Sequence, residues 1–247
     1  MSKNANELNT VKTIIFDFDG TLRHDRPEAS ELVAQFIQDR GLQVNPETNR
    51  RARRWEHYYW GQSQELASDK EKYGEMDDLF WTNYLVRNLI AFDCSTENAQ
   101  ELAPQVVLHM KDAYQPQDWV PPDTLPTLQT LRGNGYKVGL LSNRRSPCND
   151  QLDELGLDKS FDMVMVAGDV DYWKPDPQIF HEALNRLDTT ASQTAHIGDN
   201  YYTDVLGAQS AGLHPILYDP QGVFPNPECP VVQSLEGVLD LLDIQSQ

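Results

Sequence analysis

Five short apolar runs limit the folds open to this chain more than any other feature: "TIIF" at 13–16, "KVGLL" at 137–141, "FDMVMVA" at 161–167, "TAHI" at 194–197 and "HPILY" at 214–218. Helical patterning fills most of the intervals between them, at roughly 123–133, 148–155, 177–187 and 203–211. Strands that alternate with helices pair in parallel through crossover connections, which predicts an α/β fold. Residues from about 25 to 115 break that rhythm, with helical stretches such as "EASELVAQFIQDR" and "LFWTNYLVRNLIAF" and few strand-like runs. The segment "QPQDWVPPDTLP" then closes the helical region, because proline ends helices and stiffens connectors. The expected organisation is a core made of residues 1–24 and 116–247, with an α-helical insertion at 25–115.

Ligands of open parallel sheets collect at the carboxyl ends of the strands, so the residues that follow each run are the informative ones. Asp17 and Asp19 follow the first, Ser142 and Asn143 the second, and "DYWKPDP" with Lys174 lies beyond the third. Gly198, Asp199 and Asn200 follow the fourth, with Asp204 further on. Carboxylates at i and i+2 on an extended segment point the same way, and beside an apolar strand they repel one another and lose solvation. Taken alone, an Asp-x-Asp-Gly stretch is ordinary turn chemistry. Joined by a hydroxyl, an amide and a lysine from other strand ends, it suits phosphoryl transfer.

Each residue type has a physical role in such chemistry. An aspartate approaches an anionic phosphate only once charge is neutralised, and Mg²⁺ does this with carboxylate, water and phosphate oxygens. Asp17 and Asp199 are the natural pair for the metal. A carboxylate nucleophile splits one difficult displacement into two easier ones. Lys174 can neutralise the phosphate and restrain the nucleophile, and Ser142 can hold a phosphoryl oxygen. Asp19 can protonate the leaving group and later activate water. Gly20 lets the chain turn away with no Cβ in the site.

The composition fits this reading. With 247 residues, 39% apolar and 23% charged, the chain is long enough for one large domain or a domain with an inserted partner. Its formal net charge of −18 argues against a nucleic-acid binder and requires that any anionic substrate meet local cations or a metal. No apolar run is long enough for a membrane span. The polar "MSKNANELNT" reads as a loose tail without a signal-peptide core, so a cytoplasmic location is expected. Cys94, Cys148 and Cys229 form neither a disulfide framework nor a zinc pattern and are expected to be small packed side chains.

With "DFDGT" (17–21), "LLSN" (140–143), "KPDPQIF" (174–180) and "GDNYYTDVLGAQSAG" (198–212) in this order, the chain resembles the haloacid dehalogenase superfamily. The resemblance is to the branch with a helical cap inserted after the first strand, and it covers residues 11–25 and roughly 118–220. It implies a Rossmann-like parallel-sheet core and a Mg²⁺-dependent phosphatase acting on a small phosphorylated metabolite through an aspartyl-phosphate. Asp17 is then the nucleophile, Asp19 the acid/base, and Ser142 and Lys174 the phosphate-binding residues, while Asn143 either joins them in binding the phosphate or forms the turn. Mg²⁺ would be held by Asp17, the backbone carbonyl of Asp19, and Asp199, with Asp204 as a ligand or as a support behind the ligands. The family commonly has a small residue shortly before the lysine, where this chain has Asp171, Tyr172 and Trp173, a departure that touches loop shape.

Other readings use the same motifs. A phosphosugar mutase resembling β-phosphoglucomutase returns the phosphoryl group to sugar, and a binding protein of the same fold has lost its chemistry. Family members that dehalogenate 2-haloacids lack the second aspartate and the metal, so Asp19 favours phosphoryl transfer. In "RRARRWEHYYW" (50–60), Trp55, Tyr58 and Tyr59 share a helical face, a spacing expected for packing. Arg50, Arg51, Arg53 and Arg54, like Arg144 and Arg145, read as solvated charges, with substrate contact the minority role. His196 is expected in the core and His24 near the start of the insertion. His57, His109, His181 and His214 make no zinc pattern. Substrate identity and oligomeric state are not encoded in these motifs.

Overall fold

The computed structural model describes residues 8–74 and 76–244. Residues 1–7 of the expected N-terminal tail lie outside the described residues, whereas Leu8–Thr10 form a short 3₁₀ turn with Leu8 buried. Two compact units are present, one of Met1–His24 with Val120–Gln247 and the other of Asp25–Trp119.

The first unit is built on a six-stranded sheet. Its strands are β1 (Thr13–Phe16), β4 (Lys137–Ser142), β5 (Met163–Val166), β6 (Thr194–Gly198), β7 (His214–Tyr218) and β8 (Val231–Val232). Their order is β5-β4-β1-β6-β7-β8 and every pairing is parallel. Parallel sheets are covered on both faces, so their strands read as apolar runs rather than as alternation. All four residues of β1 are buried accordingly.

Side chains still alternate between the faces with the two-residue period of a strand. Ile14, Phe16, Val138, Leu140, Ala195 and Ile197 enter one core with Leu128 and Leu131 of α6 (Thr124–Gly133) and Leu152 of α7 (Asn149–Glu154). Val238 and Leu239 of α10 (Gly237–Leu241) complete that side. Ile15 and Leu141 enter the other core, with Ile179, Phe180 and Ala183 of α8 (Pro177–Arg186) and Ala208 of α9 (Leu206–Ser210). The helix expected over 203–211 is replaced in its first third by a π-helical turn at Tyr201–Val205 and continues as α9.

The second unit contains α1 (Ala29–Gln38), α2 (Pro46–Trp60), α3 (Gln64–Tyr73), α4 (Asp78–Ala91) and α5 (Thr96–Ala113). A short ribbon, β2 (His24–Arg26) with β3 (Gln117–Trp119), pairs where the chain enters and leaves it. Polar caps set the helix starts: Asn45, Ser63, Asp77 and Ser95 each accept backbone N–H groups of the first turn that lack an intrahelical partner. Val33, Ile37, Ala52, Leu89, Ala103 and Val106 form its main core. Trp55 and Tyr59 pack in a second cluster with Phe80 and Leu66, as their spacing predicts, but Tyr58 is exposed. Helix α2 places Tyr58 one position off the buried seam, which is set by Ala52 and Tyr59. All three cysteines are buried free thiols. Among the described residues, no helix is long and apolar enough to cross a membrane.

Leu140 sits fully buried in a central strand. Leu140→Ala removes its transfer free energy and leaves a cavity, so a stability loss of about 2–5 kcal/mol is expected in urea unfolding of the first unit. A loss below about 1 kcal/mol would contradict this packing.

Candidate active site

The site grows from the carboxyl edge of the sheet. The Asp17 N–H donates to the Ile197 carbonyl at 2.8 Å, extending the β1–β6 ladder by one residue and fixing the Asp17 backbone at the strand end. Phe18 is fully buried between the two aspartates and anchors the loop. Gly20 has φ +84°, and a Cβ there would lie 2.5 Å from Asp199 Oδ2. The turn therefore needs glycine for its backbone and for the room it leaves the carboxylate.

Lys174 joins the ends of β1 and β4 to the turn that follows β6, although its side chain is almost wholly buried. Its Nζ donates to Asp17 Oδ1 at 2.6 Å, to Asp204 Oδ1 at 2.6 Å and to the Leu141 carbonyl at 3.1 Å. Asn143 places this lysine: its Nδ2 donates to the Lys174 carbonyl at 2.9 Å, and its Oδ1 accepts the Lys174 N–H at 2.7 Å. The amide thus holds the lysine's backbone and has one hydrogen left for a ligand. Ser142, the last residue of β4, is buried.

Asp199 directly follows β6, and Thr21 Oγ1 donates to it at 3.4 Å. Asp204 is buried deeper, where the absence of a side chain on Gly198 matters: a Cβ there would lie 2.2 Å from Asp204 Cγ. Both Asp204 oxygens are engaged, Oδ1 by Lys174 and by His196 Nε2 at 3.0 Å, Oδ2 by the Asn200 N–H at 3.0 Å. His196 is buried as expected for a core residue, and it also orients this carboxylate.

The charges explain why the cluster calls for a cation. Oxygens of Asp17, Asp199 and Asp204 lie within 4.8 Å of one another. Burial pushes Asp17 up to about 7, against the pull of Lys174 and with a further push from Asp204. Desolvation and the Asp17 charge also raise Asp199 well above the usual carboxylate range. Burial works in the same direction on Asp204, but Lys174 and the His196 hydrogen bond overcome it and hold Asp204 below its ordinary value. Burial lowers His196, leaving it neutral near pH 7, while the two carboxylates beside Lys174 outweigh its burial and hold it charged. One lysine therefore faces three carboxylates, and the two that it satisfies least are Asp17 and Asp199. An all-oxygen donor set with excess negative charge fits a hard divalent cation such as Mg²⁺.

Asp19 is held by arginine. Arg144 Nε and Nη2 donate to its two oxygens at 2.6 Å each, while Arg144 Nη1 donates to Gln151 at 2.6 Å. Its guanidinium lies 4.8 Å from the centroid of the Phe18 ring, and Arg23 Nη1 adds a 3.1 Å contact to Asp19. Such a fork is geometrically specific and fixes the carboxylate's plane. The reading of Arg144 as a solvated charge missed this contact, and its place directly after "LLSN" was the available signal. In the helical unit, each of the four arginines near the start of α2 is paired: Arg50 and Arg54 with Glu47, Arg51 with Asp93, Arg53 with Glu28.

Residues 11–212 match the model of the haloacid dehalogenase-like hydrolase family. The chain belongs to that family. Over 240 residues it is 28% identical to haloacid dehalogenase-like hydrolase domain-containing protein 3 of Homo sapiens, covering 94% of each chain. It is 26% identical over 216 residues to pyrophosphatase PpaX of Halalkalibacterium halodurans, covering 82% of this chain and 81% of that one. Among solved structures it is similar to 2-haloacid dehalogenase from Pseudomonas syringae pv. Tomato DC3000, with 28% identity, a TM-score of 0.53, and coverage of 94% and 98%.

In this haloacid dehalogenase-like hydrolase, Lys174→Met leaves Asp17 and Asp204 buried without their shared cation, so a loss of about 3–5 kcal/mol is expected. Without the lysine both carboxyls titrate higher in the folded state than in the unfolded chain, so folded protein binds more protons and the loss grows as pH rises. Urea unfolding at pH 5.5 and 8 should show the larger penalty at pH 8. An equal penalty at both would mean that the lysine does not neutralise this pair.

Proposed function

We propose that this hydrolase is a Mg²⁺-dependent phosphatase of small phosphomonoesters, with Asp17 as nucleophile. The observation that carries the reading is the shared lysine: Nζ holds Asp17 Oδ1 and Asp204 Oδ1 at 2.6 Å, with Asp199 in the same cluster. That contact restrains one oxygen of Asp17 and leaves Oδ2 for attack on phosphorus.

The Asp17 and Asp199 carboxylates and the Asp19 main-chain carbonyl would hold Mg²⁺, with Asp204 behind them keeping Lys174 and the loop in place. When bound, the ion supplies the positive charge that lets an anionic ester approach an anionic carboxylate. Asp17 Oδ2 forms a bond to phosphorus as the bond to the leaving oxygen breaks, and Asp19 delivers a proton to that oxygen. Asp19 then takes a proton from water as the water oxygen bonds to phosphorus and the Asp17–phosphorus bond breaks, releasing phosphate. Ser142 donates to a phosphoryl oxygen, Lys174 balances the phosphoryl charge, and Asn143 holds the lysine. Arg144 and Arg23 set the direction of the Asp19 carboxylate between the two proton transfers.

Pyrophosphatase chemistry is carried by the name of one relative and dehalogenation by that of a similar solved structure, and the second aspartate with its acidic neighbours supports phosphoryl chemistry. Release of phosphate from a panel of sugar, nucleotide and organic-acid phosphates should depend on Mg²⁺ and stop with chelator. Asp17→Asn should lower turnover by at least about a thousandfold, since it removes the group that forms the covalent bond. Chloride release from 2-haloacids without metal would instead identify a dehalogenase. Isomerisation of a hexose phosphate with little free phosphate would identify a mutase.

A further inference from the structure

The helical unit contains a cavity of about 390 Å³ bounded by residues of α1, α2, α4 and α5, within the range of small-ligand sites. Most of its wall is apolar or aromatic, including Val33, Leu85, Trp81 and Tyr84. The polar groups in that wall are unusual. Asn88 is fully buried, and its Oδ1 has no hydrogen-bond partner. Its Nδ2 donates to Glu56 Oε1 at 2.9 Å, so the two side chains form one unit with the amide oxygen left over. Among the described residues nothing donates to Glu56 Oε2.

Buried acceptors without donors are costly and rare in native interiors. Three donors around the cavity are already engaged. Lys111 donates to Asp78 at 2.6 Å, Tyr114 donates to Asp25 at 3.2 Å, and Arg53 is paired with Glu28 and Ser30. The buried Asn88 Oδ1, joined through Nδ2 to the half-buried Glu56 carboxyl, thus lacks a donor beside the rings of Trp81 and Tyr84. Trp81 and Tyr84 meet edge to face with centroids 5.7 Å apart, and both line the cavity. A carboxylate, an amide oxygen and aromatic faces together select a positively charged N–H donor on an apolar body.

We propose that this cavity is a binding site for a small organic ammonium ion, held by Glu56 and Asn88 against Trp81 and Tyr84. The site lies wholly within the helical unit and its chemistry is independent of the phosphatase reading. Burial pushes the Glu56 carboxyl up to about 7, with Arg53 and the Asn88 hydrogen bond pulling it down and Glu28 pushing it up. Tyr84 also faces Glu56, and it remains a neutral phenol because burial and that carboxyl raise it well above its ordinary value. An ammonium ion binds the ionised form of Glu56, so affinity rises with pH through this range and binding releases a proton below it.

The test is calorimetry on the full chain with 2-phenylethylammonium, 2-phenylethanol and phenylacetate as probes. The ammonium should bind saturably at one site, at least about tenfold tighter than the alcohol, and phenylacetate should not bind. Its affinity should fall by about tenfold from pH 8 to pH 6, with heats that depend on buffer ionisation. Glu56→Gln should weaken the ammonium by at least about tenfold while leaving phosphate release unchanged. Trp81→Leu, on the exposed side of the cavity, provides a second variant and should weaken it by about fivefold. Equal binding of alcohol and ammonium, or an affinity indifferent to pH and to Glu56→Gln, would overturn the proposal.

Discussion

The active-site half of this structure depends on one buried ammonium group. Lys174 is the cation that lets Asp17 and Asp204 be removed from water together, and it can do so because its Nζ reaches both at 2.6 Å. A carboxylate pair alone in such a place would repel and protonate. The lysine is in turn placed by Asn143, whose amide clasps the Lys174 main chain, and by a sheet that brings Leu141 within 3.1 Å. Residues separated by 157 positions thereby become one electrostatic unit. The lysine does not neutralise the whole cluster, and the remaining negative charge is what gives a divalent cation a place.

The parallel sheet supplies the rest by register alone. Phe16 pairs with Leu140 on one side and Ile197 on the other, so the chain leaves three adjacent strands at nearly the same level. Asp17, Ser142 and Asp199 therefore converge without any contact among their own segments having to specify it. The glycines at 20 and 198 are part of the same economy of space, since each leaves room that a carboxylate fills.

Much of this was legible in the sequence because strand ends are local features. An apolar run followed by an aspartate, serine or glycine can be read without knowing its neighbours, and the alternation with helices sets the order. What escaped depends on partners far along the chain. Arg144 looks like a surface charge until Asp19, 125 positions away, is brought against it. Strand β8 has only two residues and no periodicity to read. Tyr58 and Tyr59 are adjacent aromatics of equal promise, yet one faces water and the other the core, because the turn of α2 set by Ala52 decides which side packs. Glu56 stands among charged residues in the sequence and looks solvated, but its helix turns it toward Asn88.

Asp17 is held with a raised pKa in a cluster whose single lysine leaves two carboxylate charges for a divalent cation to match. The most direct measurement is ¹³C NMR of aspartate carboxyl carbons, with Asp17 assigned by difference from Asp17→Asn, titrated with and without Mg²⁺. Without the ion, Asp17 should titrate at about 7. With the ion it should fall below about 5, since a cation favours the ionised form. An Asp17 that titrates in the ordinary carboxylate range without Mg²⁺, or that does not move when Mg²⁺ is added, would contradict the assignment of this cluster as a cation-dependent catalytic centre.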